Sequence, residues 1–191
     1  MHVLALDTAT PALTVGIVDS ETGAVLARRD RTHARGHAEV LVPYLLECLA
    51  EAGLDRADLG AVVVGCGPGP FTGLRVGMAT GAAFGDALGI PVHGVCSLDA
   101  IAHGEAGDVV VVTDARRKEV YWARYVDGVR TAGPGVIKPA ELDVAGARVV
   151  EGSPTPASLV AVGRDLLGTD PQPLVPLYLR RPDAVETAAR V

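Results

Sequence analysis

Residues 65–89, GCGPGPFTGLRVGMATGAAFGDALG, carry a glycine and proline loop that runs into an unusual helix. The loop of Gly65, Gly67, Pro68, Gly69 and Pro70 leads to Thr72, whose hydroxyl suits a helix N-cap. Gly73, Gly77, Gly81 and Gly85 then recur every fourth residue and form one slowly drifting stripe along a helical face. Each glycine costs about 0.5–1 kcal/mol against alanine in a helix interior, so something must need the empty space. The rest of the wheel is apolar too: Leu74, Met78, Phe84 and Leu88 flank the glycines, Val76, Ala79, Ala83 and Ala87 lie opposite, and only Arg75 and Asp86 are charged. A helix that is apolar all round is buried on both sides.

Upstream, residues 37–52 place Leu41, Tyr44, Leu45, Cys48, Leu49 and Ala52 at helical spacing, with Gly53 as the stop. Pro43 is tolerated only near a first turn, which leaves the start of this helix open. Val42, Leu46 and Ala50 widen its apolar arc beyond what one sheet face requires. Two such neighbouring helices form either an internal core or a surface that a partner covers. Glycines at i and i+4 let a second helix come close, which favours the partner. The expected interface comprises His37, Leu41, Tyr44, Leu45, Cys48, Gly73, Leu74, Gly77, Met78, Gly81, Phe84 and Gly85.

Around the helices the pattern is that of strands. Residues 3–7, 13–18 and 24–29 read as a meander, 61–65 as a short buried strand and 91–95 as another, giving β-β-β-α-β-α-β. Beyond Leu98 the pattern restarts with strands at 109–115 and 120–125. Asp7 and Asp114 each end a strand, and Leu13 and Val120 each resume one six residues later, so the hairpin is duplicated. A proline and glycine connection at 133–139, a strand at 148–151, a helix over 156–167 and a proline-rich tail ending PLYLRRPDA complete the second half. The expected fold class is α/β, of the actin-like ATPase (ASKHA, ribonuclease H-like) kind shared with sugar kinases. It has two unequal lobes, with mixed sheets built on duplicated hairpins. Residues 1–98 form the first lobe with both helices; 99–191 form a reduced second lobe whose tail is placed to pack back on the first.

The 191 residues are 49% hydrophobic, enough for a substantial core, and no apolar run approaches the ~20 residues of a membrane helix. A soluble, cytoplasmic protein without a membrane partner is the expectation. Cys48, Cys66 and Cys96 show no paired spacing, and two of them sit in apolar contexts typical of small buried residues. The net charge of -6 argues against a domain that holds nucleic acid by itself. Two basic clusters stand against that balance, Arg28, Arg29, Arg31 and Arg35, and Arg116, Arg117 and Lys118; they read as solvated loop charge or as a phosphate track.

Asp7, Thr8 and Thr10, with Asp114, occupy the turns where ATPases of this fold hold metal and phosphate. The turn DTATPA lacks the glycine that brings backbone amides to phosphate, so hydrogen bonds from Asp7 and Thr8 to the turn are the simpler role. The 65–69 loop lacks the Lys-Ser/Thr of a phosphate loop, and its prolines remove donors. His33 and His37 have ligand spacing, but Gly36 lies between them and no acidic ligand accompanies them. No Gly-x-Ser-x-Gly element is present.

LALDTAT (4–10), HAEVLVPYL (37–45), GCGPGPFTGLRVG (65–77), GIPVHGVCSLDA (89–100), TDARRKEVYWARY (113–125) and PLYLR (176–180) together resemble the TsaB family of the bacterial tRNA threonylcarbamoyladenosine machinery, in collinear order over nearly the whole chain. The resemblance implies a cytoplasmic subunit acting on the adenosine next to the anticodon of tRNAs that read codons beginning with A. It implies pairing with the catalytic paralogue TsaD through the first two helices of each protein, and a further partner, the ATPase TsaE; tRNA would be met through the complex. The paralogue carries a metal-binding His-x-x-x-His that falls on Ser97 and Ile101 here, which implies that the metal centre is absent and that the chain is not itself an enzyme. No cofactor is expected. The competing expectation is an ATPase or phosphotransferase using Asp7 and Asp114, and the isolated chain is expected to be able to pair with its own copy.

Overall fold

The computed structural model describes residues 1–32 and 36–180, so His33 and Arg35 of the motifs above and the tail from 181 onward lie outside the described residues. Continuous valine and leucine runs make the central strands. β1 (His2–Asp7), β2 (Leu13–Asp19) and β3 (Val25–Arg31) form the meander, followed by α1 (His37–Ala52), β4 (Leu59–Gly65), α2 (Phe71–Leu88), β5 (Val92–Val95) and α3 (Ser97–Ala102). The second half holds β6 (Asp108–Asp114), β7 (Val120–Val126), β8 (Val129–Ile137), β9 (Arg148–Glu151) and α4 (Pro156–Val162).

The sheets run β3-β2-β1-β4-β5 and β8-β7-β6-β9. In the first, β1 is antiparallel to β2 and parallel to β4; in the second, β6 is antiparallel to β7 and parallel to β9. The duplicated hairpin is thus a duplicated four-strand unit, the organisation of the actin-like fold.

Both faces of the first sheet are covered, which is why β1 and β4 are apolar throughout instead of alternating. Leu4, Leu6, Val62 and Val64 face α1 and α2, joined by Leu41, Leu45 and Cys48. Val3, Ala5, Ala61 and Val63 face the other way, toward Ala100 of α3 and Leu159 and Val160 of α4. A third core sets Leu98 and Ala102 of α3 against Val109, Val111, Ala123 and Tyr125. Although α4 follows the second sheet in the chain, it packs on β1, β2 and β4 of the first.

Four local readings change. The 133–139 connection is largely β8, an edge strand whose register shifts beside Trp122 and Arg124. Proline is tolerated there because an edge strand needs no donor on its open side, so Pro134 does not break the ladder. The helix expected over 156–167 stops at Val162, and Arg164–Leu166 continue only as a 3-10 turn after Gly163. Thr72 is not an N-cap: Pro70, with its φ of -60°, occupies that position and Thr72 lies exposed in the first turn. Pro43 sits inside α1, well past the first turn but on its exposed side, where water can satisfy the freed carbonyl.

The largest correction concerns the glycine stripe. Its empty space is used by the protein's own sheet. A Cβ on Gly77 would stand 2.4 Å from Thr8 Oγ1, one on Gly81 2.4 Å from Val64 Cγ2, and one on Gly85 2.1 Å from Val92 Cγ2. One on Gly73 would stand 2.4 Å from the carbonyl oxygen of Thr8. The glycines let α2 lie directly on β1, β4 and β5, so the face they mark is turned onto the protein's own sheet.

Candidate functional site

The turns of the duplicated hairpins, the first turns of α1 and α2 and the returning tail enclose a cleft of about 860 Å³. Its walls include Thr8, Thr10, His37, Gly69, Phe71, Thr72, Asp114, Arg116, Tyr121, Tyr178 and Arg180.

Asp7 lies beneath this cleft and has no solvent exposure. Its Oδ1 accepts from the backbone N–H groups of Ala9 at 2.9 Å and Thr10 at 3.3 Å, and its Oδ2 accepts from Ser97 Oγ at 2.5 Å. Ser97 Oγ in turn accepts from the Gly67 N–H at 3.2 Å. Gly65 is required beside this carboxylate, because a Cβ there would stand 1.7 Å from Asp7 Oδ2. Burial pushes the Asp7 carboxyl above its ordinary range, and these hydrogen bonds pull against that rise. Thr8 Oγ1 donates to the Gly73 carbonyl at 2.6 Å, and Thr10 Oγ1 donates to the Ala12 carbonyl at 2.8 Å and lies within hydrogen-bond distance of the Ser153 hydroxyl at 3.1 Å. The first turn is therefore a knot that ties β1, α2 and α3 together, with its acceptors already occupied.

Ser97, on which the resemblance places the paralogue's first metal ligand, belongs to that knot; Ile101, on which it places the second, is part of α3 and packs against the third core. Among the described residues no group of three or more His, Cys, Asp and Glu side chains is placed to hold a metal ion. The Ser97–Asp7 pair is wholly buried, and no imidazole is hydrogen-bonded to it among the described residues. Burial pushes the Cys66 thiol up to about 12 and those of Cys48 and Cys96 up to about 11, which keeps all three protonated and unreactive near neutral pH.

The second turn is open. Asp114 is exposed, and its Oδ1 accepts from the Arg116 N–H at 2.9 Å. Arg116, Arg117 and Lys118 follow with φ of 62°, 52° and 61°. The tail reaches across to it: Leu177 donates its N–H to the Cys66 carbonyl, Tyr178 stacks on Phe71, and Arg180 donates to the Ala115 carbonyl and pairs with Glu119. Asp7 and Asp114 thus do not share one surface: Asp114 lines the cleft and Asp7 does not.

The residues of the expected interface separate by depth. Leu41, Leu45, Cys48 and Leu74 are fully buried, and Gly77, Gly81 and Gly85 face the sheet. Tyr44, Met78 and Phe84 are half-buried against the core, and Gly73 is half-buried beside the Thr8 carbonyl. His37 is half-buried at the cleft; burial and the nearby Arg31 charge hold its imidazole below the ordinary range, and its Nε2 meets no partner among the described residues. What the two helices expose instead is Val42, Leu46 and Ala50 of α1 and Ala79, Ala82, Ala83 and Ala87 of α2. The helical wheel holds the signal for part of this second set, since Ala79, Ala83 and Ala87 lie opposite the glycines and Val42, Leu46 and Ala50 widen the apolar arc of α1. Among the described residues no helix is long and apolar enough to cross a membrane.

Comparison with known proteins agrees with this architecture. The family model TsaD, tRNA N6-adenosine threonylcarbamoyltransferase, matches residues 30–163. An uncharacterized protein of Mycobacterium tuberculosis (strain ATCC 25618 / H37Rv) is 57% identical over 198 residues, covering 95% of this chain and 93% of the relative. The tRNA threonylcarbamoyladenosine biosynthesis protein TsaB of Escherichia coli (strain K12) is 39% identical over 132 residues, covering 65% of this chain and 55% of the relative. The chain thus spans about half the length of the TsaB relatives it matches. Among solved structures, YeaZ from Pseudomonas aeruginosa has a TM-score of 0.74 at 26% identity, covering 86% of this chain and 91% of that one. A second Pseudomonas aeruginosa protein, described as similar to the peptidase YEAZ, has a TM-score of 0.78 at 28% identity, covering 94% and 99%. With the family model spanning most of its length and TsaB proteins aligned along about two thirds of it, the chain belongs to the TsaD family, in the TsaB branch.

Proposed function

We propose that this chain is a non-catalytic, cytoplasmic subunit in tRNA threonylcarbamoyladenosine biosynthesis, where it binds and activates a TsaD-like paralogue that transfers the threonylcarbamoyl group to the adenosine next to the anticodon. The observation that carries the reading is the outer surface of α1 and α2. Val42 and Leu46 are 39% and 38% exposed, and the alanines of α2 continue the same apolar layer. A contiguous apolar layer on the outer side of helices that already cover a sheet face is the kind of surface that another protein completes. The exposed alanines, not the glycines, set how near the partner comes. The Asp7 knot supports the non-catalytic part, because the residues that would hold metal and phosphate in an ATPase are taken up by backbone and Ser97. A TsaE-like ATPase joins the assembly, and in the paralogue's absence the same helices accept a second copy of this chain.

The test separates surface from core. Leu46→Glu combined with Ala83→Glu should leave the circular dichroism spectrum and melting temperature near wild type and weaken co-purification with the paralogue by about 100-fold, as loss of central apolar contacts does. Gly81→Leu should instead lower stability itself. Undiminished binding by the glutamate variant would sink the interface. Unchanged threonylcarbamoyladenosine in tRNA after depletion of the chain would sink the function.

A further inference from the structure

We infer that the cleft mouth between the second hairpin turn and the first turn of α2 is a contact site for RNA, with Arg116 and Lys118 meeting phosphates and the Phe71–Tyr178 pair receiving an unstacked base. This rests on the proposed role in tRNA modification and adds what the apolar helices do not supply, a direct hold on the nucleic acid.

Charge placement is the first ground. The chain is acidic overall at -6, yet Arg116, Arg117 and Lys118 stand side by side at the tip between β6 and β7. All three hold left-handed backbone, which side chains with a Cβ adopt only at a cost, so the turn is held open against its own preference. The Ala115 N–H donates to the Glu119 carbonyl, the Glu119 N–H to the Arg116 carbonyl, and Arg180 braces Ala115 and Glu119 from the tail. Of the carboxylates beside the turn among the described residues, Glu119 pairs with Arg180 and Asp114 Oδ1 accepts from the Arg116 backbone. Among the described residues no carboxylate pairs with the side chains of Arg116 or Lys118.

The opposite wall is the second ground. Phe71 and Tyr178 are 42% and 41% exposed, with ring centroids 5.1 Å apart and planes inclined by 28°. The Arg75 guanidinium lies 3.7 Å from the Phe71 ring centroid, and its Nε donates to Tyr178 Oη at 3.2 Å. Phe71, Tyr178 and Arg116 line the same cleft. Flat aromatic and guanidinium surfaces beside unpaired cations are the chemistry that holds single-stranded nucleotides, by stacking on the base and neutralising the phosphate. An acidic peptide would use the cations and leave the aromatic wall without purpose.

The probe is a fluorescein-labelled anticodon stem-loop RNA, titrated by fluorescence anisotropy against the full chain and against its complex with the paralogue. Arg116→Gln/Lys118→Gln should reduce the slope of log affinity against log salt by about 1.4, near 0.7 for each phosphate contact. Phe71→Leu should weaken RNA about 10-fold through lost stacking, and Tyr178→Leu should act in the same direction. A polyglutamate peptide should compete poorly and be insensitive to Phe71→Leu. Unchanged RNA affinity in both classes of variant, or equal loss of RNA and polyglutamate binding in all of them, would overturn the assignment. Each variant is also scored for paralogue co-purification, so that intact pairing with unaltered RNA binding rejects this site alone, while the depletion experiment judges the role in modification separately.

Discussion

In the first hairpin the turn between β1 and β2 closes around a carboxylate with no solvent exposure, whereas in the second the turn between β6 and β7 suspends three cations in left-handed backbone above an exposed one. The strand order around the two is the same. Topology therefore does not decide what an aspartate at a strand end does; its neighbours do. Asp7 has Gly65 on the adjacent strand, so its carboxylate can sink inward, and Ser97 at the start of α3 receives it. Asp114 stays at the surface, where its Oδ1 accepts from the Arg116 N–H. The first copy has become a structural knot and the second a presentation loop. The cover differs likewise, with helices on both faces of the first sheet and α3 on one face of the second.

The strongest way to break this comparison is to remove each carboxylate in turn. Asp7→Ala leaves Ser97 Oγ and the N–H groups of Ala9 and Thr10 buried without acceptors, each costing about 1–3 kcal/mol, and a total loss of about 4 kcal/mol is expected in urea unfolding. Asp114→Ala removes one exposed hydrogen bond and should cost about 0.5 kcal/mol. Equal losses would show that the turns are alike after all.

The duplication behind this comparison is legible in the sequence because its markers are local: a strand, an aspartate, and a strand resuming six residues on. The helical period of residues 73–85 is local too, and so is the conclusion that its glycines admit something close. Which side that something lies on is not local. A wheel that is apolar all round offers two candidate faces, and only the packing of Gly77 on Thr8 and of Gly81 on Val64 separates them. The same limit hid β8, whose Gly133 and Pro134 read as a connection because edge position is a property of the sheet. It also hid the attachment of α4 to the first sheet, since α4 is apolar on the face it buries and nothing in its sequence names the surface it meets. The Asp7 site was readable to the extent that DTATPA lacks a phosphate-binding glycine; its bond to Ser97, across 90 positions, was not.

A smaller effect sharpens the comparison at the second turn. Arg180 braces that turn with a 2.9 Å bond to the Ala115 carbonyl and a 2.5 Å pair with Glu119, while Tyr178 and Leu177 fasten the same segment to α2 and to Cys66 just after β4. Arg180→Gln should lower stability by about 1 kcal/mol, as expected for a part-exposed charge-assisted pair, and increase hydrogen exchange at Arg116, Arg117 and Lys118 without changing exchange at Ala9 and Thr10. Faster exchange in both turns would mean that the tail holds the whole cleft instead of the second copy.

The subtlest difference is one of sign in the response to pH. Burial raises the Asp7 carboxyl above its ordinary 3.8, so the folded chain binds that proton more tightly than the unfolded chain does. The stability contributed by protonated Asp7 is fully present below 3.8 and is lost as pH rises through the folded value. Asp108, at the start of β6, behaves oppositely. Hydrogen bonds of 2.8 and 2.6 Å from Arg124 hold its carboxyl below 3.8, so its contribution is present above 3.8 and is lost as pH falls through the folded value. Unfolding free energies of wild type, Asp7→Asn and Asp108→Asn, compared at steps of pH from strongly acidic to neutral, separate the two. The advantage of wild type over Asp7→Asn should shrink as pH climbs past 3.8, and its advantage over Asp108→Asn should shrink as pH descends below it. Parallel curves for Asp7→Asn and wild type would mean that the buried carboxylate is compensated within the knot, and that the first hairpin differs from the second in exposure but not in electrostatics.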